Sequence, residues 1–304
     1  NYKEKCDTSS ANFQAEAGTV DYVGDTQEDV IQKIRELVIM LPSSNEDNDS
    51  YDECTDDLNR KLPMMASEVK DAARALIDIS DNHIFFEIKP DFAREMVTGF
   101  IRLNGMTIGA VANRIEIIDE EGKATEHFDG SLTSAGCEKA ARFVSVCDAF
   151  HIPVLTLTNV SGFQATMEEE RTIAKAVAKL TYAFANATVP KVNMIVGNAY
   201  GSAYLAMNAK HIGADMVFAL PDAKIGMMDA DLAAQIMYAG EDSKVIKEKA
   251  GEYDKLQSSA LSAAKRGYVD CIIEPEDVRK YAIYSFEMLF TKQESRPAKK
   301  HGSF

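Results

Sequence analysis

Nowhere does an apolar run in this chain approach the roughly 20 side chains that a membrane helix needs. The segment Asn1 to Ser10 also lacks the basic and apolar regions of a secretory signal, so the expectation is a cytoplasmic protein without direct membrane insertion. Cysteine is scarce: Cys6, Cys54, Cys137, Cys147 and Cys271 are odd in number and include no CxxC pair. That argues against a disulfide framework and against a zinc site, and no metal is expected. Positive charge is short as well. Against 48 Asp and Glu stand 33 Lys and Arg, a formal charge of -15, the wrong sign for a surface that binds a phosphate backbone, so nucleic acid is not an expected partner. No GxGxxG or P-loop follows an expected strand, and no GxSxG elbow is present, which counts against a dinucleotide fold, a nucleotide kinase and a serine hydrolase.

What is present is a chain of 304 residues, 46% hydrophobic, enough for one large core or two smaller ones. Residues up to about 25 read as irregular. Thr26, followed by Glu28 and Asp29, then begins a helix whose apolar positions Val30, Ile31, Ile34, Leu37 and Val38 recur at helical spacing, and Pro42 ends it. The acidic run from Asn45 to Asp57 (Glu46, Asp47, Asp49, Asp52, Glu53, Asp56, Asp57) reads as a solvated loop, because the glycine and terminal glutamate of a calcium loop are absent. A second helix is expected over 67–79. Short β-rich runs follow at 83–88, 96–103 and 106–112, with Asn104-Gly105 as a tight hairpin turn between the last two. Thereafter helices and strands alternate: helix 134–150, strand 153–158, helix 168–187, strand 191–196, helix from 202 to 209, strand 216–219. Such alternation implies parallel strands with crossover helices, an α/β fold.

Two junctions invite chemistry. Asn159-Val160-Ser161-Gly162-Phe163 follows one strand, and Ala199-Tyr200-Gly201-Ser202-Ala203 follows the next. Ligands of open α/β sheets bind at the carboxyl ends of strands. Small residues there let a ligand approach backbone N–H groups, and a following helix adds unpaired donors and partial positive charge. Two such amides aimed at one oxygen make an oxyanion hole, which needs no side-chain nucleophile. Close packing of a helix on its strand would also select small residues, and on these residues alone both readings stand open. Glu168, Glu169 and Glu170 read as a helix N-terminus rather than general acids or bases. The histidines His83, His127, His151, His211 and His301 are scattered, and Met64, Met65, Met194, Met207, Met227 and Met228 read as core filler.

An extended set of motifs resembles the carboxyltransferase subunits of biotin-dependent acyl-CoA carboxylases, such as propionyl-CoA carboxylase β, and the related biotin-dependent decarboxylases. It includes Phe85-Phe86-Glu87, the run from Gly99 to Gly105, Gly109 to Asn113, Lys139 to Phe143, Cys147 to Phe150, and Ile152-Pro153. It continues through Gly162-Phe163, Ala187 to Lys191, Ala199-Tyr200-Gly201, Pro221 to Ile225, Gly267 to Asp270, Glu274-Pro275 and Lys300-His301-Gly302. The resemblance implies a crotonase (ClpP)-like ββα superhelix and the second of two such domains. Residues 1–80 would be a linker and helical lead-in, and 81–304 the carboxyl-terminal carboxyltransferase domain. It implies a hole built by the amides of Phe163 and of Ser202 to Ala203, with Gly162 and Gly201 giving room, for the ureido oxygen of carboxybiotin. Phe163, Tyr200, Ala203 and Leu205 would line the biotin and acyl side, and the acyl-CoA would be short-chain.

The implied partners are an amino-terminal carboxyltransferase domain or subunit, a biotin carboxyl carrier protein, a biotin carboxylase and further copies in an oligomer. So acidic a chain would hold coenzyme A phosphates with a few local cations or with another chain. The family's Asp-x-Pro-Gly-Phe has Asn159 and Ser161 here, Gln164-Ala165-Thr166 is one residue shorter than its glycine-rich turn, and Ser202 replaces the second glycine of Gly-Gly. Gly197-Asn198 and Asp229 depart as well. Alternatives are a decarboxylase running the same half-reaction, a non-catalytic assembly module, and a biotin-independent hydratase, which would need a carboxylate pair including Glu169.

Overall fold

The structure, a computed structural model, describes residues 7–47 and 51–297, so Cys6, Asp49 and the Lys300-His301-Gly302 motif lie outside the described residues. Helix α1 (Ala11–Glu16) forms where irregular chain is expected, because the Ser10 hydroxyl accepts the Phe13 N–H and starts it. Helix α2 (Gln27–Met40) starts as its sequence dictates: Thr26 Oγ1 accepts the Asp29 N–H and the Asp29 carboxylate accepts the Thr26 N–H, a reciprocal capping box. The single helix expected over 67–79 is instead two, α3 (Met65–Glu68) and α4 (Ala72–Ile79). Asp71 breaks it. Its carboxylate caps α4 through the Ala73 N–H (3.2 Å) while binding Arg114 at 2.9 Å and the Ile118 N–H at 3.0 Å, and a capping residue takes extended backbone.

Strands β1 (Phe85–Glu87), β2 (Met96–Leu103) and β3 (Met106–Asn113) pair antiparallel. The β2–β3 turn places Asn104 and Gly105 at φ of 50° and 77°, the geometry the Asn-Gly pair favours. Asp81 anchors that turn by accepting the Gly105 N–H at 2.7 Å. A small hairpin, β4 (Glu116–Ile118) with β5 (Ala124–His127), precedes β6 (Ser131–Leu132) and helix α5 (Ser134–Ala149). Then come β7 (Val154–Val160), β8 (Gly162–Phe163), α6 (Ile173–Asn186), β9 (Lys191–Tyr200) and α7 (Gly201–Ala206). The chain closes with β10 (Met216–Ala219), β11 (Lys224–Gly226), α8 (Ala230–Met237), α9 (Ser243–Tyr253), α10 (Ala260–Lys265), β12 (Cys271–Ile272) and α11 (Val278–Leu289).

The main sheet runs β1-β2-β3-β7-β9-β10-β12, parallel from β3 onward, with β11 paired to the far end of β9. The alternation along the chain is thus a parallel α/β sheet with an antiparallel edge. Each face has its own core. Val111, Val154, Ile195 and Val217 face α5, α6, α7 and α10, where Leu180 and Phe184 are fully buried. Ile108, Leu155, Leu157, Val192 and Met194 face α3, α4 and α11, against Leu62, Met65, Leu76, Ile79 and Phe286. This is the period-2 division of a strand buried on both sides.

The acidic run is only partly a solvated loop. Asp56 folds back on the body, where Arg60 binds it through two nitrogens (3.0–3.1 Å) and the fully buried Arg279 approaches to 3.5 Å. Arg279 makes its shorter ion pair, 2.6 Å, with Asp81. A buried guanidinium needs such partners, so part of the run neutralises the core rather than facing water. Among the described residues no helix is long and apolar enough to cross a membrane.

Candidate functional site

Both expected junctions lie at the carboxyl ends of neighbouring parallel strands, β7 and β9; the second runs directly into a helix as the sequence suggests, and the first does not. Gly162 and Phe163 do not lead straight into an α-helix, since α6 begins only at Ile173; they form β8, parallel to β6 with Ser131 opposite Gly162 and Leu132 opposite Phe163. The Gln164 N–H donates to the Leu132 carbonyl at 3.0 Å, so alternation along the strand turns the Phe163 N–H away from β6. A Cβ on Gly162 would have no heavy atom within 4 Å, so the space over this residue is open.

At the second junction β9 runs four residues beyond the expected end, to Tyr200, because β11 pairs with it there, Ile225 opposite Ala199 and Gly226 opposite Tyr200. Helix α7 then starts at Gly201, with φ of +59°. No side chain caps it, so the first-turn N–H groups of Gly201, Ser202 and Ala203 have no partner within the helix. Helix α7 packs against β8, so the helix that opens with Gly201, Ser202 and Ala203 neighbours the Phe163 strand. The left-handed conformation falls on Gly201 and not on Ser202, so serine in place of the family's second glycine keeps the amide without backbone strain.

Around these amides Ala203 and Tyr200 are buried, while Ser202 and Leu205 face outward. Burial, reinforced by Asp229 and Asp254, pushes the Tyr200 phenol up to about 12, so it is a neutral group at physiological pH. Met227 is 76% exposed and its carbonyl lies against Gly201, which places an apolar side chain beside α7 that the sequence reading assigned to the core. Met64 is also exposed, whereas Met65, Met194 and Met207 are core as expected. Asp229, where the family has glycine, caps α8 by accepting the Asp231 and Leu232 N–H groups at 2.9 and 3.3 Å. Ser161 donates to the Asp129 carbonyl at 2.8 Å.

Candidate acids and bases are engaged elsewhere. Glu169 lies in a 3-10 turn rather than an α-helix, and its carboxylate accepts the Ser134 N–H and hydroxyl at 2.8 and 2.6 Å. It therefore caps α5, not the helix that follows it. His83 faces Asp78 and His127 faces Glu116, His211 stacks on Tyr268, and His151 lies before β7, at its amino end. Lys224, next to Asn198 in the β9–β11 register, is bound to Asp254 at 2.6 Å. No group of residues that could hold a metal ion occurs among the described residues. A cavity of about 390 Å3 is lined by Thr107, Pro153, Pro190, Phe286 and Phe290 at the amino ends of β3, β7 and β9, the opposite end of the sheet. The two junctions lie at the other end, where Gly162 has open space over it and Ser202 is exposed.

Residues 8–304 match the carboxyl transferase domain family. A putative propionyl-CoA carboxylase beta chain of Bacillus subtilis is 40% identical over 299 residues, covering 95% of this chain and 57% of that protein. Methylmalonyl-CoA decarboxylase subunit alpha of Propionigenium modestum is 34% identical over 301 residues, covering 94% of this chain and 56% of that one. Among solved structures, transcarboxylase 12S with hydrolysed methylmalonyl-coenzyme A bound superposes with a TM-score of 0.88 at 32% identity, over 97% of this chain and 58% of that chain. The chain spans little more than half the length of the curated relatives it matches. Its fold is the crotonase-like α/β fold of these carboxyltransferases, and the chain belongs to the carboxyl transferase domain family.

Proposed function

We propose that this chain is the biotin-facing half of an acyl-CoA carboxyltransferase and that its working groups are the backbone amides of Phe163, Ser202 and Ala203. The observation that carries the reading is the packing of β8 against an uncapped α7, which gathers donors with no side-chain competitor. Carboxybiotin on a carrier protein would supply the carboxyl group that passes to a short-chain acyl-CoA. The open space over Gly162 and the exposed Ser202 at the start of α7 suit a planar ureido group, since oxygen bearing developing charge needs close N–H donors and no bulk. Tyr200 and Leu205 would flank it, and Leu205, with no charge of its own, suits an uncharged acyl end. Stabilisation by fixed dipoles is greatest where water is excluded, and here one side is open.

The missing wall and the phosphate contacts would come from an amino-terminal carboxyltransferase domain or subunit. Residues 1–80 would be the connector to it and 81–304 the carboxyl-terminal domain, with α3 and α4 holding the connector against the sheet. Biotin carboxyl carrier protein, biotin carboxylase and further copies of the subunit complete the assembly. The similarity to a methylmalonyl-CoA decarboxylase subunit supports a second reading, the same half-reaction run toward carboxybiotin. The test combines the chain with the amino-terminal half and the biotinylated carrier and follows labelled carboxyl between carrier and acetyl-, propionyl- or methylmalonyl-CoA. Transfer that requires this chain is expected; no transfer in either direction with any of the three would refute the proposal.

A further inference from the structure

Strands β7 and β9 pair in step from Val154 opposite Lys191 to Thr158 opposite Ile195, and then the register slips to Val160 opposite Ala199. One residue, Asn159, therefore faces three, Val196 to Asn198: a bulge with two extra residues in β9. Such a bulge leaves backbone groups without ladder partners. The Asn159 side chain takes up one of them, its Oδ1 accepting the Asn198 N–H at 2.9 Å. The carboxamide lies over Gly197, where a Cβ would stand 2.6 Å from Asn159 Cγ, so only glycine leaves it room. From the other side the Asn159 N–H donates to Asn113 Oδ1 at the end of β3, at 3.2 Å. Three asparagines thus step across the carboxyl ends of β3, β7 and β9. Beyond the bulge β9 joins β11 and delivers Tyr200 and Gly201 into α7, so the bulge sets the direction in which the α7 amides point.

We propose that Asn159 is a positioning residue for the transfer site: it locks the β9 bulge and, through it, the amides of Ser202 and Ala203. The role rests on the carboxyltransferase reading, but half of its test does not. In the assembled protein, hydrogen exchange over residues 196–206 is measured for Asn159→Ala, Gly197→Ala, the double variant and Asn159→Asp, with β2 and β3 as fold controls. Exchange over 196–206 should quicken at least about tenfold in both single alanine variants, with β2 and β3 unchanged. The double variant should be no worse than Asn159→Ala, because removing the carboxamide vacates the space that the added methyl needs. Asn159→Asp keeps the acceptor and should exchange like the parent.

In the carboxyl-transfer assay kcat should fall at least about tenfold in Asn159→Ala, with KM for the acyl-CoA within about twofold, and Asn159→Asp should restore it. Equal damage from Gly197→Ala in both backgrounds, or parental exchange in Asn159→Ala, overturns the proposal. So does quickened exchange with unchanged kcat. A parent assembly without any transfer activity counts instead against the carboxyltransferase reading, while the exchange pattern still judges the lock.

Discussion

At Gly201 the backbone sets a requirement that side-chain chemistry cannot meet: φ is +59°, and a Cβ would lie 3.1 Å from the Met227 carbonyl oxygen. Gly201→Ala is expected to cost about 1–2 kcal/mol of stability from left-handed strain alone, read as a lowered midpoint in denaturant unfolding. Activity should fall further than stability, because relief of that strain moves the first turn of α7. Ser202 carries no such burden, and its replacement by glycine should leave stability within about 1 kcal/mol. The residue scale also holds a buried charge. Arg279 has no solvent exposure and donates to Asp81 at 2.6 Å and to the Ile79 carbonyl at 2.7 Å. Asp81→Ala would strand that guanidinium and free the Gly105 N–H as well, so a loss of about 3–5 kcal/mol is expected in chemical denaturation. An unchanged midpoint would show that Asp56, 3.5 Å away, suffices as counter-charge.

At the scale of elements, what was legible in the sequence divides by range. Strands β2 and β10 stand where the apolar runs put them, and β3 ends one residue later, because these runs are buried on both faces and Asn104-Gly105 fixes the turn by local chemistry alone. The α2 capping box is equally local. Where the reading differs, a distant partner decides. Asp71 divides the lead-in helix through contacts with Arg114 and Ile118, Glu169 leaves its own helix to cap α5, and β9 runs on to Tyr200 because β11 pairs with it. The site residues were legible as a motif, but the form of the first junction was not, because the short β6–β8 ladder that orients Phe163 joins residues 31 positions apart.

The lead-in also carries a titration. Burial, with Asp78 close by, raises the Glu68 carboxyl to about 7 from its ordinary 4.5. A carboxyl whose folded value is raised holds its proton longer in the folded state, so its contribution is full below about 4.5 and is lost as pH rises through about 7. Glu68→Gln should therefore gain stability relative to the parent as pH climbs across that window. A parent-minus-variant difference flat between pH 4 and 8, in urea melts at each pH, would contradict the assignment.

For the whole molecule, two cores on the faces of one mixed sheet make a frame, and the proposed site lies at the carboxyl ends of its strands β7 and β9. The cavity of about 390 Å3 lies at the opposite end of the sheet, and the space over Gly162 is open. Both facts suit a half-site that another domain completes. The net charge of -15 points the same way, because the cations that would hold coenzyme A phosphates must be few and local or belong to a partner.

The central claim is that backbone N–H groups, not side chains, do the work. It is tested most directly by Ala203→Pro, which deletes one N–H in the first turn of α7, where no hydrogen bond within the helix is lost with it. In the assembled carboxyltransferase, with folding checked by circular dichroism and assembly by sedimentation, carboxyl transfer from carboxybiotin should fall on the order of 100- to 1,000-fold. Transfer at the parent rate in a folded, fully assembled Ala203→Pro complex would contradict the account.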